Sequence, residues 1–355
     1  MNSRNFATLL SRFLIGFSLF YLVACTPEDE KINPNTGISK GVYVVNKGIN
    51  VGTLSLYDSA SNTIQNDVFE KANSGVTIGN AFQSMSFIDD KAYLVASLSN
   101  KINVVDGKTF QLSRTITGFE QPRYILPGGA RAFVSQWGKD GLTGSIQIID
   151  IATAAIVKSI SVGKGAERIG YVNSKLWVLN SGGLGQDSTI TVVDIFNNVD
   201  TIVKTIAVSP GPNSLVLDAN GDAWVLCGSY SNKNGGGKLL KINRTEKIEL
   251  SFDVPSLASN LVIDKSGYSI YFIANNKIWY KDIQNFGKTP PSVLNISKAF
   301  QSPNALGINP TTGNIFCGDA LNSTSSGTLN IIDVKTLAIK DSLKIGIAPN
   351  AFIFR

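Results

Sequence analysis

Histidine is absent from all 355 residues of the chain. Its absence excludes serine–histidine–acid and cysteine–histidine nucleophilic machinery, histidine-ligated zinc or copper, and histidine-ligated haem. Carboxylate-only chemistry and calcium binding stay open. Charge is also scarce, at 16% of residues, and the net balance of +6 is mild. Lysine and arginine are scattered rather than clustered, which argues against a nucleic-acid groove. Cysteine occurs three times. Cys227 and Cys317 lie in apolar runs two repeats apart, a separation that argues against a disulfide and for inert core residues.

The third cysteine belongs to a different segment. Arg4 and Arg12 precede an apolar run, Phe13 to Val23, that is short for a membrane-spanning helix and ends Leu22-Val23-Ala24-Cys25. This segment resembles a bacterial lipoprotein signal, which implies cleavage of residues 1–24 and an acylated Cys25. Thr26-Pro27-Glu28-Asp29-Glu30 follows and opens a polar tether over residues 25–40. An acidic run at that place resembles the export tag of Bacteroidetes surface lipoproteins. The resemblance implies an outer-membrane protein, lipid-anchored and facing the exterior.

From Gly41 onward the chain repeats one pattern seven times, at intervals of about 45 residues, the length of a four-stranded blade. Each copy holds four short, alternating apolar runs separated by turn residues, and 33 glycines supply many of the turns. The first copy begins at its second run, Gly41-Val42-Tyr43. The missing first run stands at the C-terminus, Pro349 to Phe354. The expected fold over residues 41–355 is therefore all-β: a seven-bladed propeller closed by pairing N- and C-terminal strands in one blade.

Three series fix the register. An aromatic opens every second strand: Tyr43, Tyr93, Phe133, Trp177, Trp224, Tyr271 and Phe316. Large rings at one place in each blade fill the wedge between sheets. An acid or its amide ends every third strand: Asp58, Asp106, Asp150, Asp194, Asn243, Asp282 and Asp333. These oxygens are placed to accept backbone N–H groups in the following turn, so they read as turn chemistry rather than catalysis. A polar residue opens every inner strand: Ser84, Arg123, Arg168, Asn213, Asn260, Asn304 and Asn350.

Up-and-down strands place the links between second and third strands, and the links between blades, on one rim. On the other rim the turns are short. On the first rim five links are long, Asn46–Gly52, Gln136–Gly144, Asn180–Ser188, Cys227–Gly237 and Asp319–Gly327. The polar ring lies among them, flanked by Gln83 and Glu167, with Lys47 on one of the long links. A concave floor of amides and guanidinium groups walled by loops is a candidate small-molecule site. Its rim-loop members are Phe82, Gln121, Trp137, Gln186, Tyr230 and Gln301. Each Asn taken alone is also a turn-starting residue beside Pro, and each Arg is also a salt-bridge partner for Glu120 or Glu167. No cluster of carboxylates lines the ring, and the expectation is a non-enzymatic protein without a cofactor.

Ser145-Ile146-Gln147-Ile148-Ile149-Asp150 and Thr328-Leu329-Asn330-Ile331-Ile332-Asp333, with Val162-Gly163 and Ile345-Gly346 beyond them, resemble the YVTN-type propeller repeat. With the leader and acidic tether, the chain resembles the Bacteroidetes surface lipoproteins that bind cobalamin. That resemblance implies capture of a corrinoid and its delivery to a TonB-dependent outer-membrane transporter. Amides and guanidinium groups suit the propionamide edge and phosphate of such a ligand. The alternative is a generic surface propeller that contacts protein or glycan.

Overall fold

The computed structural model describes residues 41–196, 199–230, 236–284 and 288–355. Residues 1–24, the tether 25–40 and its Cys25 lie outside the described residues, as does the middle of the link after Cys227. Seven four-stranded antiparallel sheets follow one another round a ring.

Blade 1 takes its inner strand, Pro349–Phe354, from the C-terminus, and this strand pairs with the second strand, Gly41–Asn46. The inner strands of blades 2 to 7 are Phe82–Ile88, Pro122–Gly128, Ala166–Val172, Pro212–Leu217, Ser259–Ile263 and Pro303–Ile308. Each inner strand neighbours the next, and the last neighbours the first. The ring is closed through the blade shared by the two ends of the fold, so the inner edge of Gly41–Asn46 is paired rather than open.

One apolar layer fills each joint between blades. Tyr43 and Val45 of blade 1 pack on Phe82, Met85 and Leu94 of blade 2. Blade 7 meets blade 1 through Phe316, Leu329, Val42 and Val44. All seven series aromatics are buried, none more than 4% exposed. The turn acids also behave as expected. Asp106 accepts the N–H groups of Lys108 and Thr109, Asp333 those of Lys335 and Thr336, and Asn243 that of Thr245. Cys227 and Cys317 are free and buried, and burial pushes both thiols above their ordinary range.

Register shifts where the polar ring lies. In all seven blades the inner strand carries one residue more than its partner near its start, a bulge that turns a side chain out of the pleat. Blade 1 pairs Pro349 with Asn46 and then Ala351 with Val45, which leaves Asn350 as the extra residue. Blade 2 leaves out Gln83 in the same way. By pairing, the equivalents are Asn350, Gln83, Arg123, Glu167, Asn213, Ser259 and Asn304. Ser84, Arg168 and Asn260, read as equivalents in the sequence, stand one residue further along.

Candidate functional site

Most of the ring residues clasp one blade to the next. The Asn350 amide donates to the Gln83 carbonyl at 2.7 Å, and the Ser84 hydroxyl donates to the Arg123 carbonyl at 2.7 Å. Asn213 donates to Ala258 O at 2.9 Å, Asn260 to Asn304 O at 3.2 Å, and Asn304 to Pro349 O at 3.2 Å. Each joins its own blade to its successor. Between blades 3 and 4 the clasp is an ion pair, with Arg123 Nε 2.9 Å from Glu167 Oε2 and Nη2 3.0 Å from Oε1.

One joint has no such clasp among the described residues. Arg168 of blade 4 does not reach forward to blade 5. Its guanidinium lies back over the Tyr124 ring of blade 3, with Cζ 4.0 Å from the centroid, and it makes no hydrogen bond or ion pair among the described residues. Blades 4 and 5 are tied further out instead. The Tyr230 hydroxyl accepts the Asp187 N–H at 2.7 Å and lies 2.6 Å from the carbonyls of Ser181 and Asp187. Gly165 brings that loop onto the start of the inner strand. Its φ is +59°, and a Cβ there would meet Gly183 N at 1.9 Å.

Around Arg168 the structure gathers a compact polar cluster. Arg123 stacks on Trp137, with Cζ 4.0 Å from a ring centroid, and the Trp137 indole donates to Glu167 Oε2 at 2.7 Å. Both carboxylate oxygens of Glu167 are thus taken. Gln83 Nε2 donates to the Tyr124 hydroxyl at 3.3 Å, while its Oε1 is buried with no partner among the described residues. Lys47 approaches from the first long link of blade 1. Burial holds its amine below the ordinary lysine range, the Arg123 charge adds to that shift, and Glu167 opposes it.

The rim-loop residues separate into three kinds. Phe82 is fully buried in the layer between blades 1 and 2 and presents nothing to a ligand. Gln121 is spent on the carbonyls of Gly138 and Lys139, and Tyr230 on the clasp described above. Trp137 joins the cluster, whereas Gln186 and Gln301 stand exposed. Tyr124, the platform under Arg168, was missed because the sequence register stopped one residue short of it. Among the described residues, no three Cys, Asp or Glu side chains converge to hold a metal ion.

Residues 40–343 match the family model described as "Domain of unknown function (DUF5074)". The chain belongs to that family. No curated protein matches it in sequence. Solved structures resemble it at low identity. An alcohol dehydrogenase-like quinoprotein of Bacteroides thetaiotaomicron is 18% identical with a TM-score of 0.67, over 90% of this chain and 79% of that one. The periplasmic gluconolactonase of Pseudomonas aeruginosa is 11% identical with a TM-score of 0.66, over 88% and 98%. A functionally unknown protein from Desulfotomaculum acetoxidans is 12% identical with a TM-score of 0.68, over 89% and 99%.

These neighbours overturn the expectation of a non-enzyme. A gluconolactonase and a dehydrogenase-like protein share the fold, so the fold gives no ground for excluding catalysis. Lack of histidine removes only the chemistry that depends on it. No neighbour named here points to cobalamin.

Proposed function

We propose that the DUF5074 propeller captures a small polar molecule at the mouth of its ring, on the rim where the inner strands begin. Arg168 carries this reading. It is the ring residue that makes no hydrogen bond or ion pair to a neighbouring blade among the described residues; it lies on the aromatic platform of Tyr124 with its donors free. The finer reading, drawn from the sequence resemblance, is a corrinoid as ligand and a TonB-dependent transporter as recipient, with the protein anchored through acylated Cys25. Exposed aliphatic side chains on the same rim, Ile49, Leu98, Leu142 and Leu184, suit contact with such a partner.

Calorimetric titration of the purified protein with cyanocobalamin tests the ligand. Micromolar or tighter binding is expected, weakened by Arg168→Ala and by Arg123→Ala and unchanged by Asp282→Ala on the opposite rim. No heat at tens of micromolar ligand would sink the corrinoid assignment. The gluconolactonase neighbour suggests a second reading, hydrolysis of a sugar lactone at the same mouth. Turnover of gluconolactone that is lost in Arg168→Ala would put that reading first.

A further inference from the structure

We propose that Lys47 and Arg168 form an anion seat at the ring mouth and hold a phosphate or carboxylate group of the ligand. The proposal rests on the reading of this rim as the capture face and names the chemistry that the face selects.

Charge within this cluster is uneven: Lys47, Arg123 and Arg168 are cations and Glu167 is an anion, while Asp319 and Asp187 on the same rim are occupied by backbone N–H groups. Glu167 and Arg123 neutralise each other through two hydrogen bonds, and Trp137 takes the remaining approach to Oε2. Lys47 and Arg168 are left beside a pair that is already satisfied, and neither has an ion pair of its own among the described residues.

Lys47 is not a loose surface lysine. Its N–H donates to Ala348 O at 2.9 Å, its carbonyl accepts from Phe82 N at 3.3 Å, and its side chain is half-buried. A half-buried ammonium that makes no ion pair of its own among the described residues gains from an anion that reaches it. Arg168 is equally fixed, flat on Tyr124, so the edge of its fork can meet two oxygens of one planar or tetrahedral anion.

Gln83 adds a second element of recognition. Its buried Oε1 lacks a donor, while its nitrogen is held by the hydroxyl of the tyrosine that carries Arg168. An unpaired buried acceptor favours a ligand that brings a hydroxyl or N–H close to its anionic group. The seat therefore suits a phosphate ester or hydroxy acid better than a bare inorganic ion.

Inorganic pyrophosphate is the first probe, titrated into the full protein in chloride buffer at low ionic strength. Binding is expected, with Lys47→Met and Arg168→Met each weakening it at least tenfold. Arg168→Lys keeps the charge and loses the fork, so it should recover only part of the affinity. Lys108→Met, an exposed cation on the opposite rim, should change nothing. Thermal melts check folding, and Lys47→Met should melt no lower than the wild type.

Absence of pyrophosphate binding at millimolar concentration would overturn the seat, as would wild-type affinity in both methionine variants. Phosphatidylglycerol vesicles separate a lipid headgroup from a free phosphate. Vesicle sedimentation that depends on Lys47 and Arg168, without binding of soluble pyrophosphate, would overturn the small-ligand assignment. Cyanocobalamin binding that survives in both methionine variants would leave capture standing and remove the anion seat alone.

Discussion

Arg123 and Glu167 face each other across the joint between blades 3 and 4, joined at two points and only 12% and 10% exposed in their side chains. Removing one member of a pair this enclosed leaves the other charge unbalanced, at a cost of about 3–5 kcal/mol. Glu167→Gln should therefore lower stability to urea by roughly 3 kcal/mol, and it also strips the Trp137 indole of its charged acceptor. A change below about 0.5 kcal/mol would show that solvent screens the pair far more than its burial implies.

Ring clasps and ring ligation separate by substitution. Asn304→Ala and Asn350→Ala each delete an inter-blade hydrogen bond and should cost about 0.5–1.5 kcal/mol, with ligand affinity little changed. Arg168→Ala deletes no such bond but lifts the guanidinium off the Tyr124 ring, so it should cost about 0.5–1 kcal/mol while affinity falls. Denaturant midpoints paired with titrations on the same samples read both quantities.

Glu70 makes stability depend on pH near neutrality. It sits in a five-residue helix, Val68–Ala72, on the link from blade 1 to blade 2. Both of its carboxylate oxygens are buried without a hydrogen-bond partner among the described residues. Burial pushes its pKa from the ordinary 4.5 to about 7, with the Asp67 charge adding to the rise and the nearby N–H groups of Glu70 and Ile78 opposing it. The folded protein thus holds a proton that the unfolded chain has released, and stability falls as pH rises from about 4.5 past 7. Glu70→Gln should melt roughly 1–3 °C higher than wild type at pH 8 and match it at pH 4.5. Parallel melting curves at pH 8 that also parallel those at pH 4.5 would contradict this account.

Deleting residues 349–355 removes the whole inner strand of blade 1, its pairing with Gly41–Asn46 and the Asn350 clasp. The shortened protein should lose cooperative unfolding and bind a hydrophobic dye, because the layers on both sides of blade 1 are opened. A sharp melt near the wild-type temperature would show that the ring closes without that strand.

Seven copies and their closure were legible because the residues that carry them act locally. An aromatic at the wedge and an acid in the turn do the same work in every blade, so the same letters recur. The ring was legible only in outline. A bulge adds one residue to the inner strand, so letters that align by eye, such as Ser84 and Arg168, sit one place beyond Asn350 and Arg123. Nor could sequence distinguish an Asn that seeks a ligand from one that holds the next blade's carbonyl, since both need the same amide. Glu167 shows the same limit: it was visible beside the ring, but its lock on Arg123 depends on two strands that meet only in the folded molecule. Lys47 lies far from Arg168 along the chain, and only closure of the ring brings its link to the mouth.

A repeated fold offers the same chemical position seven times, and architecture claims most of them. At six joints the position beside the bulge is under structural load, so drift in those residues is paid for in stability. At the joint of blades 4 and 5 the Tyr230 clasp has moved that load to the outer loops. Arg168 is thereby released from the duty its counterparts perform. Among the described residues, Arg168 is thus the ring position whose side chain can change without breaking an inter-blade hydrogen bond or ion pair of the ring.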